Sequence, residues 1–195
     1  FNHLSTVFNN FVNYRPIVDD FSDPNSGWPI YNDPSIVYGY AGGEYYILNK
    51  SDRFLGLTVI GQPAKNYTLS VQGRKASKDI EGGYGILLDV NDDFSYFRGF
   101  VAFTDFDIVW HIDVGSDGRL RVIESKQVSS LEPNGSYTFS VERFDAGSVQ
   151  VSVPNSNFSY LSNSGKHRVG FVTVPLANNF EARFDNFSLL LIDEN

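Results

Sequence analysis

Hydrophobicity recurs with a period of two along almost the whole chain, and that rhythm limits what the chain can become. Eleven segments carry it: "EYYILN" (44–49), "LGLTVIG" (55–61), "NYTLSVQGR" (66–74), "GYGILLDV" (83–90), "SYFRGFVAF" (95–103), "IVWHIDV" (108–114), "LRVIESKQV" (120–128), "YTFSVERF" (137–144), "SVQVSV" (148–153), "KHRVGFVTV" (166–174) and "EARFDNFSLLLI" (181–192). Successive side chains of a strand point to opposite faces, so each segment predicts a strand with one face on a core. Between them stand "AGGE", "EGGY", "VNDD", "GSDG", "EPNG" and "FDAG". These are turn sequences, rich in residues that tolerate positive φ or bond their own backbone. Strands at this spacing, joined by hairpins, predict an all-β fold: two antiparallel sheets packed as a jelly-roll β-sandwich.

One stretch has the other period. Phe1, Leu4, Phe8 and Phe11 form a single apolar stripe at helical spacing, and Pro16 closes the segment. A short N-terminal helix is one reading. A linker left from another domain is the other, because Asn is frequent there and forms helices poorly. The chain therefore divides into a segment over 1–16 and a sandwich over 17–195, a length suited to one core.

A formal charge of −8 leaves no basic stripe for phosphates, which argues against nucleic acid and anionic membranes as partners. No apolar run approaches the roughly 20 residues of a membrane-spanning helix. The absence of Cys removes disulfides, thiolate zinc sites and cysteine nucleophiles together. Beginning at Phe1 and containing no Met, the sequence reads as a processed product or an excised fragment, with any signal peptide or anchor already removed.

The order "DDFSDPNSGW" (19–28), "GGEYYI" (42–47), "GGYGILLDVNDDFSYFRGFV" (82–101), "DGRLRVIE" (117–124), "YTFSVERFDAGSVQVSV" (137–153), "HRVGFVTV" (167–174) and "RFDNFSL" (183–189) resembles a bacterial extracellular family. These are the concanavalin A-like, laminin-G-like jelly-roll domains, and the chain is similar to the 3-keto-disaccharide hydrolase-like members. One departure is "VPNSNFSYLSNS" (153–164), which stands where such domains carry a "VNG" hairpin. The resemblance implies an extracellular or cell-surface setting. It also implies that the first and last strands are neighbours, with Phe21, Phe184 and Phe187 in the core and Trp28 covering one end.

Three groups of residues are candidates for binding. Tyr96 and Arg98 share one face of their strand, and with Trp110 from the next strand they would form an aromatic platform for a sugar ring. The bland reading is that the aromatics are core. Asp19, Asp20 and Asp185 are candidate ligands for a structural Ca²⁺, which takes six to eight oxygens at flexible geometry. Against that, carboxylates in such sequences serve as turn and cap residues. Asn49, Asn66, Asn134 and Asn157 head glycosylation sequons; Asn134 sits in the exposed-turn sequence "EPNGS", while Asn186 heads a fifth in a packed-strand context.

Catalysis has no frame here. No E-x-D-x-x-E carboxylate set is present, His3, His111 and His167 are scattered, and no G-x-S-x-G elbow exists. The expectation is a non-catalytic extracellular module that binds carbohydrate or serves adhesion or sensing in a cell-surface protein. Two alternatives stand beside it. One is a structural surface subunit that contacts proteins, including its own copies, through residues 1–16. The other is a glycan hydrolase whose site the sequence does not reveal.

Overall fold

The computed structural model describes residues 16–192 except 54, 92–94, 145–146, 163–164 and 166. The helix predicted near the N-terminus lies outside the described residues. Among those described, fifteen strands form two antiparallel sheets. The larger sheet runs, in spatial order, β13 (Ser156–Leu161), β12 (Ser148–Val153), β11 (Ser136–Phe144), β6 (Asn66–Lys75), β15 (Phe180–Ile192), β4 (Glu44–Asn49), β3 (Ile36–Ala41) and β2 (Tyr31–Asn32). A short β1 (Ile17–Asp19) also pairs with β15. The smaller sheet runs β10 (Leu120–Gln127), β9 (Ile108–Val114), β8 (Phe97–Phe103), β7 (Gly82–Val90), β14 (His167–Pro175) and β5 (Gly56–Ala64).

The alternation places the core. Val141, Val149, Val151, Leu69, Val71 and Phe184 point inward from the larger sheet and meet Tyr84, Ile86, Phe100, Val109 and Phe171 from the smaller one. Phe171 stacks on Phe184 with ring centroids 4.2 Å apart. The structure adds four strands to the eleven predicted. β1 and β2 are too short to show a period. β3 precedes the "AGGE" turn, and β13 comes from "VPNSNFSYLSNS". There Asn155 takes the left-handed conformation (φ 53°), the chain turns, and Ser156–Leu161 pairs back onto β12.

The two ends of the sandwich meet as the resemblance implied. Asp19 stands opposite Phe187 in the β1–β15 ladder. Phe21, Phe184 and Phe187 are buried, and Trp28 stacks on Phe171 at 4.4 Å while meeting Phe187 edge-on at 5.0 Å. Phe21 holds a positive φ of 55°, which costs a bulky residue energy. The Asp19 carboxylate offsets that cost by accepting the Phe21 N–H (2.8 Å) and the Ser26 hydroxyl (2.5 Å).

Candidate functional site

The expected platform is divided between two faces. Tyr96 and Arg98 lie on the side of the smaller sheet that faces the larger one. Trp110 lies on the opposite side, packed on Phe103 at 4.3 Å. The cause is the register of the β8–β9 hairpin. Val101 pairs with Trp110 and Arg98 with Asp113, so every even residue of β8 faces an odd residue of β9. Directly paired residues share a face, which places Trp110 with Val101.

Arg98 belongs instead to an ionic cluster at one end of the sandwich. Asp89 sits at a bulge in β7 with φ 53°, and the shift in register there turns its carboxylate inward. Arg143 donates to it at 2.8 Å, and the Tyr160 hydroxyl donates at 3.1 Å. Arg98 approaches the same carboxylate at 3.8 Å while lying over the Tyr160 ring at 4.4 Å. Asp89 and Arg143 are each 1% exposed. A buried pair of this kind fixes geometry, and removing either partner strands a charge in a dry site. His111 packs beside it on Phe100 (4.5 Å). Burial first, then the nearby Arg98 charge, pushes the His111 pKa down to about 4. Burial likewise raises the Tyr160 and Tyr67 hydroxyls well above the usual phenol range. These features describe a structural lock, with Arg98 paired and not free for a ligand.

The three candidate metal ligands each serve a local turn. Asp19 supports Phe21 as described. Asp20 accepts from the N–H and hydroxyl of Ser22, which holds its carboxyl below the usual range. Asp185 accepts the Asn186 N–H at 2.7 Å, where the β15 bulge places Asn186 at φ 50°. Among the described residues, no group of three or more carboxylate or imidazole side chains is placed to hold a metal ion. Of the sequons, Asn49 is fully buried and accepts from Thr173, and Asn66 is also buried. Neither amide is open to a glycosylating enzyme acting on the folded chain. Asn134 and Asn157 are exposed.

An aromatic surface does exist, on residues the sequence reading passed over. The β2–β3 hairpin pairs Tyr31 with Tyr38 across the turn "NDPS". Their rings stack at 5.3 Å, inclined by 22°. The Asp33 carboxylate shapes that turn, accepting the N–H groups of Ser35 (2.6 Å) and Ile36 (2.8 Å). Hydrogen bonding with the Tyr31 hydroxyl, then with those two N–H groups, holds the Asp33 carboxyl below its ordinary range. Lys50 caps the hairpin from below, donating to the Asp33 carbonyl at 3.0 Å. Facing the two rings are Leu55 and Leu57, at the edge strand of the other sheet. Together they line an open cleft of about 390 Å³. Tyr31 is 45% exposed. A second cleft, of about 450 Å³, opens at the opposite edge between β10 and β13. There Lys126 lies over the Phe158 ring (3.9 Å), donates to the Asn157 carbonyl (2.7 Å) and pairs with Glu124 (3.4 Å). That floor is polar and occupied by its own partners.

The fold is a jelly-roll β-sandwich of the kind found in carbohydrate-binding modules and glycan-active enzymes. Among solved structures, the chain is similar to the carbohydrate-binding module CBM66 from Bacillus subtilis (TM-score 0.53, 11% identity, 91% of this chain and 94% of that one). It is similar to a GlcNAcα1-4Gal-releasing endo-β-galactosidase from Clostridium perfringens (TM-score 0.61, 10% identity, 92% of this chain and 63% of that one). It also resembles the GH43 protein BlXynB from Bacillus licheniformis (TM-score 0.65, 12% identity), of which it spans 39%. At such identities the likeness is one of fold. No family model matches the sequence, and no curated protein matches it.

Proposed function

We propose that this chain is a non-catalytic carbohydrate-binding module of an extracellular or cell-surface protein, and that the Tyr31–Tyr38 cleft is its sugar site. The observation that carries the reading is the part-exposed, stacked tyrosine pair beside Asp33 in an open cleft. An aromatic face accepts the C–H face of a pyranose, and a fixed carboxylate accepts its hydroxyls. Leu55 and Leu57 give the cleft an apolar wall that excludes water from the ring contact. A sandwich fold shared with a sugar-binding module supports the class of ligand. The exposed sequons at Asn134 and Asn157 suit an exported chain.

The test is binding to a panel of oligosaccharides and soluble polysaccharides by calorimetry and affinity gel electrophoresis. Tyr31→Ala removes one stacking surface worth about 1–2 kcal/mol, so affinity for any bound glycan should fall roughly 5- to 30-fold. Trp110→Phe, on the far face of the other sheet, should leave binding intact. Equal binding by Tyr31→Ala and the parent chain would remove the proposed site. Release of product from any panel member would contradict the non-catalytic reading.

A further inference from the structure

The outward face of the smaller sheet is apolar over its centre and ends, at β10, on exposed Val122 and Ser125. Pairing registers lay it out in rows. One row runs Val59, Gly170, Leu87, Gly99, Ile112, Val122; the next runs Leu57, Val172, Gly85, Val101, Trp110, Ser125. Neither row holds a charge, and glycines alternate with larger residues in the first, leaving a trough. Val101, Ile112 and Val172 are 0% exposed. Strand side chains stand roughly perpendicular to their sheet, so the centre of a sheet face open to water keeps exposed tips. These three have none. Every described hydrophobic residue gathered there comes from this sheet or is Leu55, just before β5. Among the described residues, no hydrophobic side chain of another element lies over them.

We infer that residues 1–15 of the same chain cover this face, with Phe1, Leu4, Phe8 and Phe11 set against the trough. Length is the first argument. Every other stretch outside the described residues is three residues or shorter. Twelve residues in a helix span about 18 Å, close to the ~19 Å across four strands. Chemistry is the second. Within residues 1–12 the only titratable side chain is His3, so the segment brings almost no charge to an uncharged face. Position is the third. β1 pairs with β15 on the same side as β4, and β4 packs against β5 and β14, so the chain leaves β1 beside the β5 edge. The trough meets the Tyr31–Tyr38 cleft at Leu55 and Leu57, and the inference is tested apart from the sugar reading because cross-linking and dye binding involve no glycan.

The chain has no native Cys, so engineered pairs report cleanly. In the full chain, Phe8→Cys is combined with Leu57→Cys or Val122→Cys at the margins of the trough, or with Ser140→Cys on the outward face of the larger sheet as control. A short bismaleimide should cross-link the two trough pairs within one chain, several-fold more than the Ser140 pair. Equal yields for all three would overturn the inference. So would products linked only between chains, which would assign the face to a second copy. Independently, full-length Phe8→Asp should raise the fluorescence of added 8-anilinonaphthalene-1-sulfonate several-fold over the parent. Unchanged dye binding in a folded variant would contradict it.

Discussion

The two outward faces of this sandwich are built on opposite chemistry. On the larger sheet one row across five strands reads Asn157, Ser152, Ser140, Ser70, Ser188. Beside it Glu44 takes a two-pronged ion pair from Arg74 (2.7 and 2.6 Å) and a further one from Arg183 (3.2 Å). On the smaller sheet the corresponding rows are apolar at their centre, where Val101, Ile112 and Val172 are fully buried. The sequence writes the difference plainly. "SVQVSV" in β12 alternates exposed and buried residues, whereas all nine residues of β7 are buried. Alternation marks a sheet wet on one side, and a continuous apolar run marks one covered on both. The lesson for function is that aromatic residues on a strand, such as Trp110, report burial before they report binding. Here the exposed aromatic pair stands at a sheet edge.

That contrast is breakable by substitution. The largest effect is expected from Val101→Asp, which places an unpaired carboxylate on the covered face. It should cost about 4 kcal/mol or more, a large part of the 5–15 kcal/mol typical of a domain, and show as a collapse of the urea midpoint. A folded variant of near-parental stability would mean that this face is open. Next comes Gly170→Ala. Its added Cβ would meet the Thr58 carbonyl, a backbone atom that has no rotamer to escape into. The expected cost is about 3 kcal/mol in the same measurement, as overpacking commonly costs.

The inner side of the smaller sheet is tested by pH. His111 has a folded pKa near 4, below its ordinary 6.5, with Arg98, Glu124, Asp113 and Asp89 as its charged surroundings. A depressed histidine binds its proton more readily when unfolded. Its contribution is thus complete above pH 6.5 and is lost as pH falls from 6.5 toward 4, by up to about 3 kcal/mol. Unfolding of parent and His111→Gln across that window should show the variant with the shallower slope. Parallel slopes would mean that water reaches the imidazole. The smallest effect is expected on the polar face, where Ser140→Asp should stay within about 0.5 kcal/mol of the parent.

Much of the fold was legible because period-two hydrophobicity and turn residues are local signals. The closure of first strand on last was implied by the family resemblance, and Phe21 and Phe187 are indeed in one cluster. The binding site was not legible in the same way. Alternation along one strand assigns faces only within that strand, and Trp110 went to the other side of the sheet because of hairpin register. Counting back from the four-residue turn between Phe103 and Ile108 would have shown it. The Tyr31–Tyr38 pair had a signal as well, since "YNDPSIVY" reads as a tight turn that sets the two tyrosines opposite each other. Asp89 was hidden for a different reason: a bulge reverses the face of every later residue, and nothing in "GILLDV" announces one. Asn49 and Asn66 looked like surface sequons because a sequon carries no information on burial.

The central claim, that a sugar ring docks on the Tyr31–Tyr38 pair, is tested most directly by mapping amide and aromatic NMR shifts of the labelled chain during titration with each glycan that binds. The account predicts shifts confined to Tyr31, Asp33, Ile36, Tyr38, Leu55 and Leu57. Shifts concentrated around Glu124, Lys126 and Asn157, with the tyrosine pair unmoved, would contradict it.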